Sequence, residues 1–598
     1  MDTGSSEFND HLRQVIDDEI NSLQESPQAL QSRRNTLAPI SRLPPEILTA
    51  IFSFLTPSAW ATKAGNLATI CVTHVCHQWR ETALNYPRLW SDIDFTNLTP
   101  AAMAEILARA QKMPLNMEAD TTKWSVAQSD AFERQLEAHI SHTRHLSVEG
   151  RLPTALNRLV SSAPTLEFLS LSHKSGQFPI VIPVNLFNCT APKLTSLELE
   201  SCDISWKSPL LRGLRNLTIL KPHKGPGARH KLEDWLDALT EMPQLETLIL
   251  DDATPAPPLA PMTAPLIPWP SRAATLPSLT GFHLSASARD CAFALAHLEL
   301  PALSWLHVNA ESRGWEGADV RLLIPYVTQN VDGLGMEPLR SILISGEGTH
   351  AKVVGWTMPD TDIKVSLPTR ETFIRESGPP GLVFTATLRD TDYGAVTGML
   401  DAFLTRLPMN FVSTLITRDC TQVSKEFWLG HAPRWPLLEH VLLDTTTIWA
   451  FRDMLAEDAP PNSPSSRLPL LTKLTLIDDT LTEFRTSHLR DMLIERVEQG
   501  VPLEVLDLST CVADDRSIQL LREIVVYVHD KAARRMILEK SAFINWHGGF
   551  EYCYQVEDDD GWVPCPCDDE DDDEDDDEDE DEEDDDDDVV EYDNEFVE

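Results

Sequence analysis

An eight-residue pattern, Pro-x-Leu-x-x-Leu-x-Leu, recurs along most of the chain and constrains its fold more than any other feature. Copies with the proline occur at 164–171, 192–199, 243–250, 277–284, 301–308, 436–443 and 469–476, and degenerate copies begin at 141, 212, 337 and 501. Successive copies begin 20 to 36 residues apart, except for an interval of 99 residues between 337 and 436. Self-similarity at such a period predicts an array of stacked structural repeats.

This spacing is that of leucine-rich repeats, at their longer and less regular end. Alternating leucines predict a short strand with one buried face, and each linker returns the chain through a helix or loop. One such unit cannot bury its apolar side alone, so neighbouring units must stack. We therefore expect an α/β protein with a leucine-rich-repeat-like solenoid over residues 96–530. The alternative is an ordinary α/β domain with several leucine-rich strands.

The interval of 99 residues equals three periods of 33, and it predicts two decayed repeats. Residues 382–384 are a candidate hidden strand, and residues 394–407 are a candidate hidden helix. After the last copy, apolar residues at helical spacing predict an amphipathic helix over 516–528.

Residues 40–90 form a distinct helical unit ahead of the repeats. Pro44, Pro45 and Glu46 predict a helix start, because proline tolerates the first turn and an acidic side chain complements the helix dipole. Two apolar stripes at helical spacing follow, one at 47, 48, 51, 52 and 55 and one from 67 to 84. Two short helices cannot close a core in so few residues, so part of their apolar surface must pack on a partner or on the next domain.

Four short motifs in this unit resemble the F-box when they are taken together. They are Leu-Pro-Pro-Glu-Ile-Leu at 43–48, Ile-Phe-Ser-Phe-Leu at 51–55, Val-Cys-His-Gln-Trp-Arg at 75–80 and Pro-Arg-Leu-Trp at 87–90. The segment at 34–40 resembles the lead-in of the large fungal subgroup of F-box proteins. The resemblance covers residues 35–95, and a small-residue insert near 58–65 departs from it.

The resemblance implies a function as well as a fold. An F-box over 35–95 docks on a Skp-type adaptor and through it on a cullin, while the repeats hold a protein substrate. The chain would then be the substrate-recognition adaptor of a Skp-cullin-F-box type ubiquitin ligase. The candidate docking residues are Leu43, Pro44, Ile47, Leu48, Ile51, Phe52, Val75, Trp79 and Trp90. For Trp79 and Trp90, a place in the core of the module is the alternative.

The resemblance also indicates where a substrate would bind. Strands line the concave side of a leucine-rich solenoid, and the residues that alternate with the core leucines, or follow them, face outward. The candidate substrate contacts are Glu198, Glu200, Asp251, His283, His307, Asn309, Asp444 and Asp507. Because most charged members are acidic, we expect this face to prefer a basic partner; solvated strand residues are the alternative.

The charge of the chain is strongly negative and concentrated at one end. The chain of 598 residues has 94 Asp and Glu against 49 Lys and Arg, and 29 of the acidic residues lie in 557–598. A run of 21 acidic residues at 568–588 cannot fold at neutral pH, so we expect a disordered polyacidic tail over 557–598. This balance argues against nucleic acid and anionic membranes as partners.

The remaining segments complete the expected organisation. We expect an amphipathic helix over 1–34 and a cap on the last repeat over 531–556. No segment has the ~20 apolar residues of a membrane-spanning helix, and there is no secretory signal. We therefore expect a cytoplasmic or nuclear protein, or one present in both compartments.

No motif for catalysis, nucleotide binding or metal binding occurs in the sequence. His139, His142 and His145 drift around a helix axis and do not predict a metal site. We expect no enzyme activity, no cofactor and no metal. The alternative function is a non-ligase leucine-rich scaffold whose acidic tail binds basic proteins.

Overall fold

The structure of the chain is a computed structural model. It describes residues 14–15 and most of 39–530, and it describes four short strands between 542 and 562. The gaps within 39–530 are 55–64, 152–155, 157–158, 175–178, 222–230, 256–271, 313–316, 333–336, 358–379, 389–392, 421–422, 445, 456–467 and 478–479. Most of the predicted helix at 1–34, most of the predicted cap at 531–556 and nearly all of the acidic segment at 557–598 lie outside the described residues.

In the described part of the N-terminal module, the α-helices are α1 (Pro45–Ser53), α2 (Gly65–Val72) and α3 (His77–Leu84), and the strand β1 (Asp92–Asp94) follows them. Helix α1 begins as its sequence predicts, with Pro44 extended at the N-cap and Glu46 in the first turn. The single apolar stripe expected from 67 to 84 is divided between α2 and α3. The chain turns between them at 73–75, so the two helices are separate elements.

Helices and short strands then alternate along the chain. The further helices are α4 (Pro100–Ala110), α5 (Val126–His139), α6 (Leu232–Thr240), α7 (Ala288–Ala296), α8 (Ala318–Asp332), α9 (Tyr393–Arg406), α10 (Lys425–His431), α11 (Ile448–Leu455), α12 (Glu483–Glu498) and α13 (Asp515–Arg522). The strands are β2 (Leu115–Asp120), β3 (Thr143–Gly150), β4 (Phe168–His173), β5 (Ile180–Val181), β6 (Ser196–Glu200), β7 (Cys202–Asp203), β8 (Asn216–Leu220), β9 (Thr247–Asp251), β10 (Ala274–Thr275), β11 (Gly281–Ser287), β12 (Leu298–Glu299), β13 (Trp305–Glu311), β14 (Ser341–Glu347), β15 (His350–Trp356), β16 (Leu382–Thr387), β17 (Thr414–Arg418), β18 (His440–Asp444), β19 (Lys473–Ile477), β20 (Thr480–Leu481), β21 (Val505–Asp507), β22 (Val512–Ala513) and β23 (Tyr527–His529).

Within the described residues, 17 of these strands form one sheet. Their order is β1-β2-β3-β4-β6-β8-β9-β11-β13-β16-β15-β14-β17-β18-β19-β21-β23. All neighbours are parallel except β15, which is antiparallel to both β14 and β16. The N-terminal module is continuous with this sheet, because β1 pairs with β2.

The middle of the sheet departs from the expected succession of repeats. Strands β14, β15 and β16 follow one another in the chain but occur in reverse order in the sheet, between β13 and β17. A tight turn at Gly348, whose φ is +58°, joins β14 to β15 and reverses the chain direction. The candidate strand at 382–384 lies in β16, and the candidate helix at 394–407 matches α9 except for its last residue. However, two successive parallel repeats do not describe the 99 residues between 337 and 436, because the strands there are reversed in order and β15 is antiparallel.

One apolar core runs through the first compact unit, Met1–His529. The strand leucines that alternate with polar residues, such as Leu197 and Leu199 in β6, are buried in it with the apolar sides of the connecting helices. Leu48 and Phe52 of α1 belong to the same core. The helix expected over 516–528 is shorter than predicted, because α13 ends at Arg522 and the chain continues into β23.

The second unit, Asp530–Glu598, is described only in two short hairpins. They are formed by β24 (Ala542–Ile544) with β25 (Phe550–Tyr552) and by β26 (Glu557–Asp558) with β27 (Gly561–Trp562). Among the helices that the structure describes, none is both long enough and apolar enough to cross a membrane.

Candidate partner-binding surfaces

Helix α1 is apolar on two sides, one buried and one exposed. Leu48 and Phe52 are fully buried, whereas Ile47 is 47% exposed, Ile51 is 37% exposed and Phe54, just after the helix, is 88% exposed. Positions 47, 51 and 54 are four and three residues apart, so they share one side of the helix. We call Ile47, Ile51 and Phe54 the α1 patch.

The two tryptophans among the predicted docking residues contribute mainly to the core of the module. The Trp90 ring is buried, its Nε1 donates a hydrogen bond to the Ala83 carbonyl oxygen at 2.8 Å, and the Arg109 guanidinium lies 5.0 Å from its centre. Trp79 is half-buried, and its ring centre lies 5.2 Å from that of Phe52.

The structure therefore divides the predicted docking residues into two groups. Leu48, Phe52 and Trp90 are buried in the core, which for Trp90 is the alternative given above, and Leu43 and Trp79 pack partly on the core. The docking role of these residues stays a prediction. Pro44, Ile47, Ile51 and Val75 are exposed, as a docking surface requires. Phe54 was missed, although its spacing from Ile47 and Ile51 is visible in the sequence.

The predicted substrate contacts lie on the side of the sheet opposite the core leucines, which we call the open face. Strand pairing places Glu198, His283, His307 and Asp507 in one register row that crosses the sheet. Glu200, Asp251 and Asn309 lie in the next row. All seven side chains are at least partly accessible to solvent. The repeat pattern thus predicted their common face, while their role in binding stays a prediction.

The strands β1 to β9 give the open face its negative charge. Burial, together with Asp94 and Asp92, raises the pKa of the Glu118 carboxyl, and burial raises the pKa of Glu198. Glu200 accepts a hydrogen bond of 2.6 Å from the Ser172 hydroxyl. Carboxylates that are partly desolvated and close to one another gain most from a cationic neighbour.

Asp444 and Asp507 form local turns at the other end of the open face. The Asp444 carboxylate accepts hydrogen bonds from the backbone N–H of Thr447 at 3.1 Å and from its hydroxyl at 2.7 Å. Asp507 accepts one from the backbone N–H of Ser509 at 3.0 Å. Both carboxylates therefore stabilise the turns that follow their strands.

The open face between β14 and β19 is apolar rather than acidic. A second cluster, separate from the main core, is formed there by Leu343, Val354, Trp356, Ile416, Leu442 and Ile477. Apolar side chains therefore interrupt the open face between the acidic residues of its first strands and Asp444 and Asp507, and the preference of this face for a basic partner stays a prediction.

The three histidines considered as metal ligands are not brought together. His139 Nδ1 lies 3.3 Å from His142 Nε2, whereas the His145 ring stacks on Phe168 with a centre-to-centre distance of 4.2 Å. Across the described residues, no group of three or more His, Cys, Asp or Glu side chains is placed to hold a metal ion.

Comparison with known families bears on the N-terminal module. The F-box-like family matches residues 40–96, which include α1, α2, α3 and β1. The chain carries an F-box-like domain. The match ends where the array of repeats begins, so it leaves the following strands unassigned.

Comparisons with whole proteins add little to this assignment. No curated protein matches the chain significantly. Among solved structures, the crystal structure of a complex of Rad7 and Elc1 in yeast contains a similar chain. The two chains are 13% identical over 86% of this chain and 94% of the other, with a TM-score of 0.23. At that score the similarity supports no argument about fold or function.

Proposed function

We propose that the chain is a substrate-recognition adaptor of a Skp-cullin-F-box type ubiquitin ligase. In this proposal the F-box-like domain docks on a Skp-type adaptor, and the leucine-rich-repeat-like array presents a protein substrate. The chain itself performs no chemistry, and it acts in the cytoplasm, the nucleus or both. The observation that carries the proposal is the F-box-like match at 40–96 together with the exposed α1 patch inside it.

The α1 patch is suited to helix-in-groove recognition. Phe54 exposes 88% of its surface in the free chain, so docking can remove nearly all of that surface from water. Burial of a phenylalanine side chain contributes about 2 kcal/mol, which corresponds to roughly thirtyfold in affinity. Single exposed apolar side chains are common on protein surfaces, whereas neighbouring ones that share one side of a helix are typical of interaction sites.

The experiment is a binding titration between the purified chain and a purified Skp-type adaptor. Phe54→Asp should weaken binding by roughly thirtyfold or more, because it removes the apolar anchor and places a charge in the groove. The matched control is Phe484→Asp, which changes a phenylalanine that is 68% exposed on α12. Both variants should melt at the parental temperature. Parental affinity of a folded Phe54→Asp variant would refute adaptor docking through this patch.

A second function is favoured by the acidic segment at 568–588. A run of 21 acidic residues resembles a polyanion to lysine-rich and arginine-rich proteins, so a scaffold for basic proteins is the alternative to a ligase adaptor. The two functions differ in one observable. A ligase adaptor co-purifies with a cullin through the F-box-like domain, and Phe54→Asp abolishes this co-purification, whereas a scaffold retains its partners in that variant.

A further inference from the structure

Trp305 occupies an unusual place for a large aromatic side chain. It opens β13 on the open face, in the same alternation as His307, and it is only partly buried. Its register partner in the neighbouring strand β11 is Gly281. An indole on the open face of the sheet is outside the main core, so core packing does not explain it.

Gly281 makes room for this indole. A Cβ atom added at Gly281 would lie 2.1 to 2.5 Å from three atoms of the Trp305 ring, which no real contact allows. Gly281 does not have a positive φ, so the turn geometry that usually favours glycine is not the reason for it here. The ring therefore lies directly against the backbone of β11, and its position is fixed by the missing side chain.

Two histidines extend the ring surface. The centre of the His307 ring lies 4.8 Å from that of Trp305, and the His283 ring lies 6.2 Å from that of His307. Burial lowers the pKa of both histidines, although Asp251 opposes the change at His283 and a contact with the Pro380 carbonyl opposes it at His307. The His283 ring and the Lys352 ammonium, on the β15 side of the shelf, lower the pKa of His307 further. Both rings are therefore neutral at neutral pH. We call Trp305, His307 and His283 the indole shelf.

We propose that the indole shelf binds an arginine or lysine side chain from an extended basic segment of a partner protein. A cation is attracted to the face of an indole, and tryptophan is the strongest of the aromatic side chains in this interaction. Neutral histidines do not repel the cation. That the partner is a ligase substrate depends on the proposed function, but the binding itself does not.

Charge complementarity indicates that the partner segment is basic and that it runs across the strands from β13 toward β6. Glu198 on β6 lies in the register row of His307 and His283, and Asp251 on β9 and Glu200 on β6 lie in the next row, that of Asn309. Trp305 lies one row away on the other side of His307, on the same face. Four strand steps of about 4.8 Å separate β13 from β6, and six extended residues span this distance of roughly 19 Å. A second copy of the chain does not fit, since two chains with a net charge of −45 repel each other.

The test uses the full chain and a synthetic eight-residue peptide that alternates arginine and serine, with a photoreactive diazirine residue at its centre. The acidic run at 568–588 attracts any basic peptide, so the readout is the position of the crosslink, mapped by mass spectrometry. In the parental chain we expect crosslinks on β11 and β13. A peptide with citrulline in place of arginine should give at least tenfold fewer of them.

Two variants test the shelf from opposite sides. Trp305→Ala removes the ring, whereas Gly281→Ala keeps the ring and displaces it, and each should reduce crosslinking on β11 and β13 at least tenfold. The matched control is Trp449→Ala, which removes a half-buried indole from α11 and should change crosslinking less than twofold. Trp305→Phe retains a smaller ring and gives an intermediate yield, so it tests the shelf even if Gly281→Ala does not fold.

Several outcomes would overturn the inference. Crosslinks confined to the acidic run, equal yields with the citrulline peptide, or parental yields in folded Trp305→Ala would each exclude a cation on the shelf. Adaptor binding is measured in the same variants and should remain parental. If the shelf does not bind the peptide but adaptor binding is intact, only this inference is refuted. The ligase proposal is tested separately, by adaptor binding of the Phe54→Asp variant.

Discussion

Ile47 and Leu48 are adjacent in the chain and lie about 100° apart around α1, one exposed and one buried, which makes them a sharp test of the N-terminal module. Leu48 is fully buried in the continuous core, so Leu48→Ala should leave a cavity and lower the free energy of unfolding by about 2–5 kcal/mol. Ile47 is 47% exposed, so Ile47→Ala should change that free energy by less than about 1 kcal/mol.

The two substitutions should have the opposite order in adaptor binding per folded molecule. Docking can bury the exposed half of Ile47, and about half of the transfer free energy of an isoleucine is roughly 1 kcal/mol, or about fivefold in affinity. Urea unfolding followed by circular dichroism gives the stability, and calorimetric titration with the adaptor gives the affinity. A Leu48→Ala variant of parental stability, or an Ile47→Ala variant that unfolds, would refute the assignment of the two faces.

Two further predictions concern the array itself. Gly150→Ala should destabilise the chain more than Gly213→Ala: both glycines have positive φ, but only at Gly150 would the added Cβ lie 2.5 Å from Thr121 Oγ1, and urea midpoints of the two variants measure the difference. Burial lowers the pKa of His145 from 6.5 to about 4, so the unfolded chain takes up this proton first as the pH falls. The contribution of His145 to stability should be constant above pH 6.5 and fall by roughly 3 kcal/mol on acidification to about pH 4. His145→Gln should lose this part of the pH dependence in unfolding titrations, and an unchanged pH profile would contradict the pKa assignment.

The repeat pattern was sufficient to predict individual strands because each copy contains its own alternation. The copy at 192–199 ends in β6 and the copy at 469–476 ends in β19. The pattern could not predict β15, since His350–Trp356 contains no copy of it and alternates only over 350–353 before the run of buried residues at 353–356. Nor could it predict the reversed order of β14, β15 and β16, because the pairing of β13 with β16 joins residues about 75 positions apart and no local signal specifies it.

Periodicity along a single element assigned residues to a face of the sheet, but it did not predict which apolar residues are buried or which residues meet across two strands. Both sides of α1 are apolar, so periodicity alone could not separate the buried Leu48 from the exposed Ile47. Trp305 and Gly281 each occupy an ordinary position in their own repeats. Their contact depends on the register between two strands, which neither repeat contains.

The reversed strands between β13 and β17 also have a consequence for folding. Along the rest of the sheet, each strand pairs with a strand that is close in sequence, so each half of the array can grow by adding neighbours. The middle of the sheet is different, because β13 pairs with β16 and β14 pairs with β17. Both pairings join strands that are distant in sequence, so each must close a long loop. We therefore expect the two halves to form as separate cooperative blocks, with the reversed insert as the late, rate-limiting step that unites them.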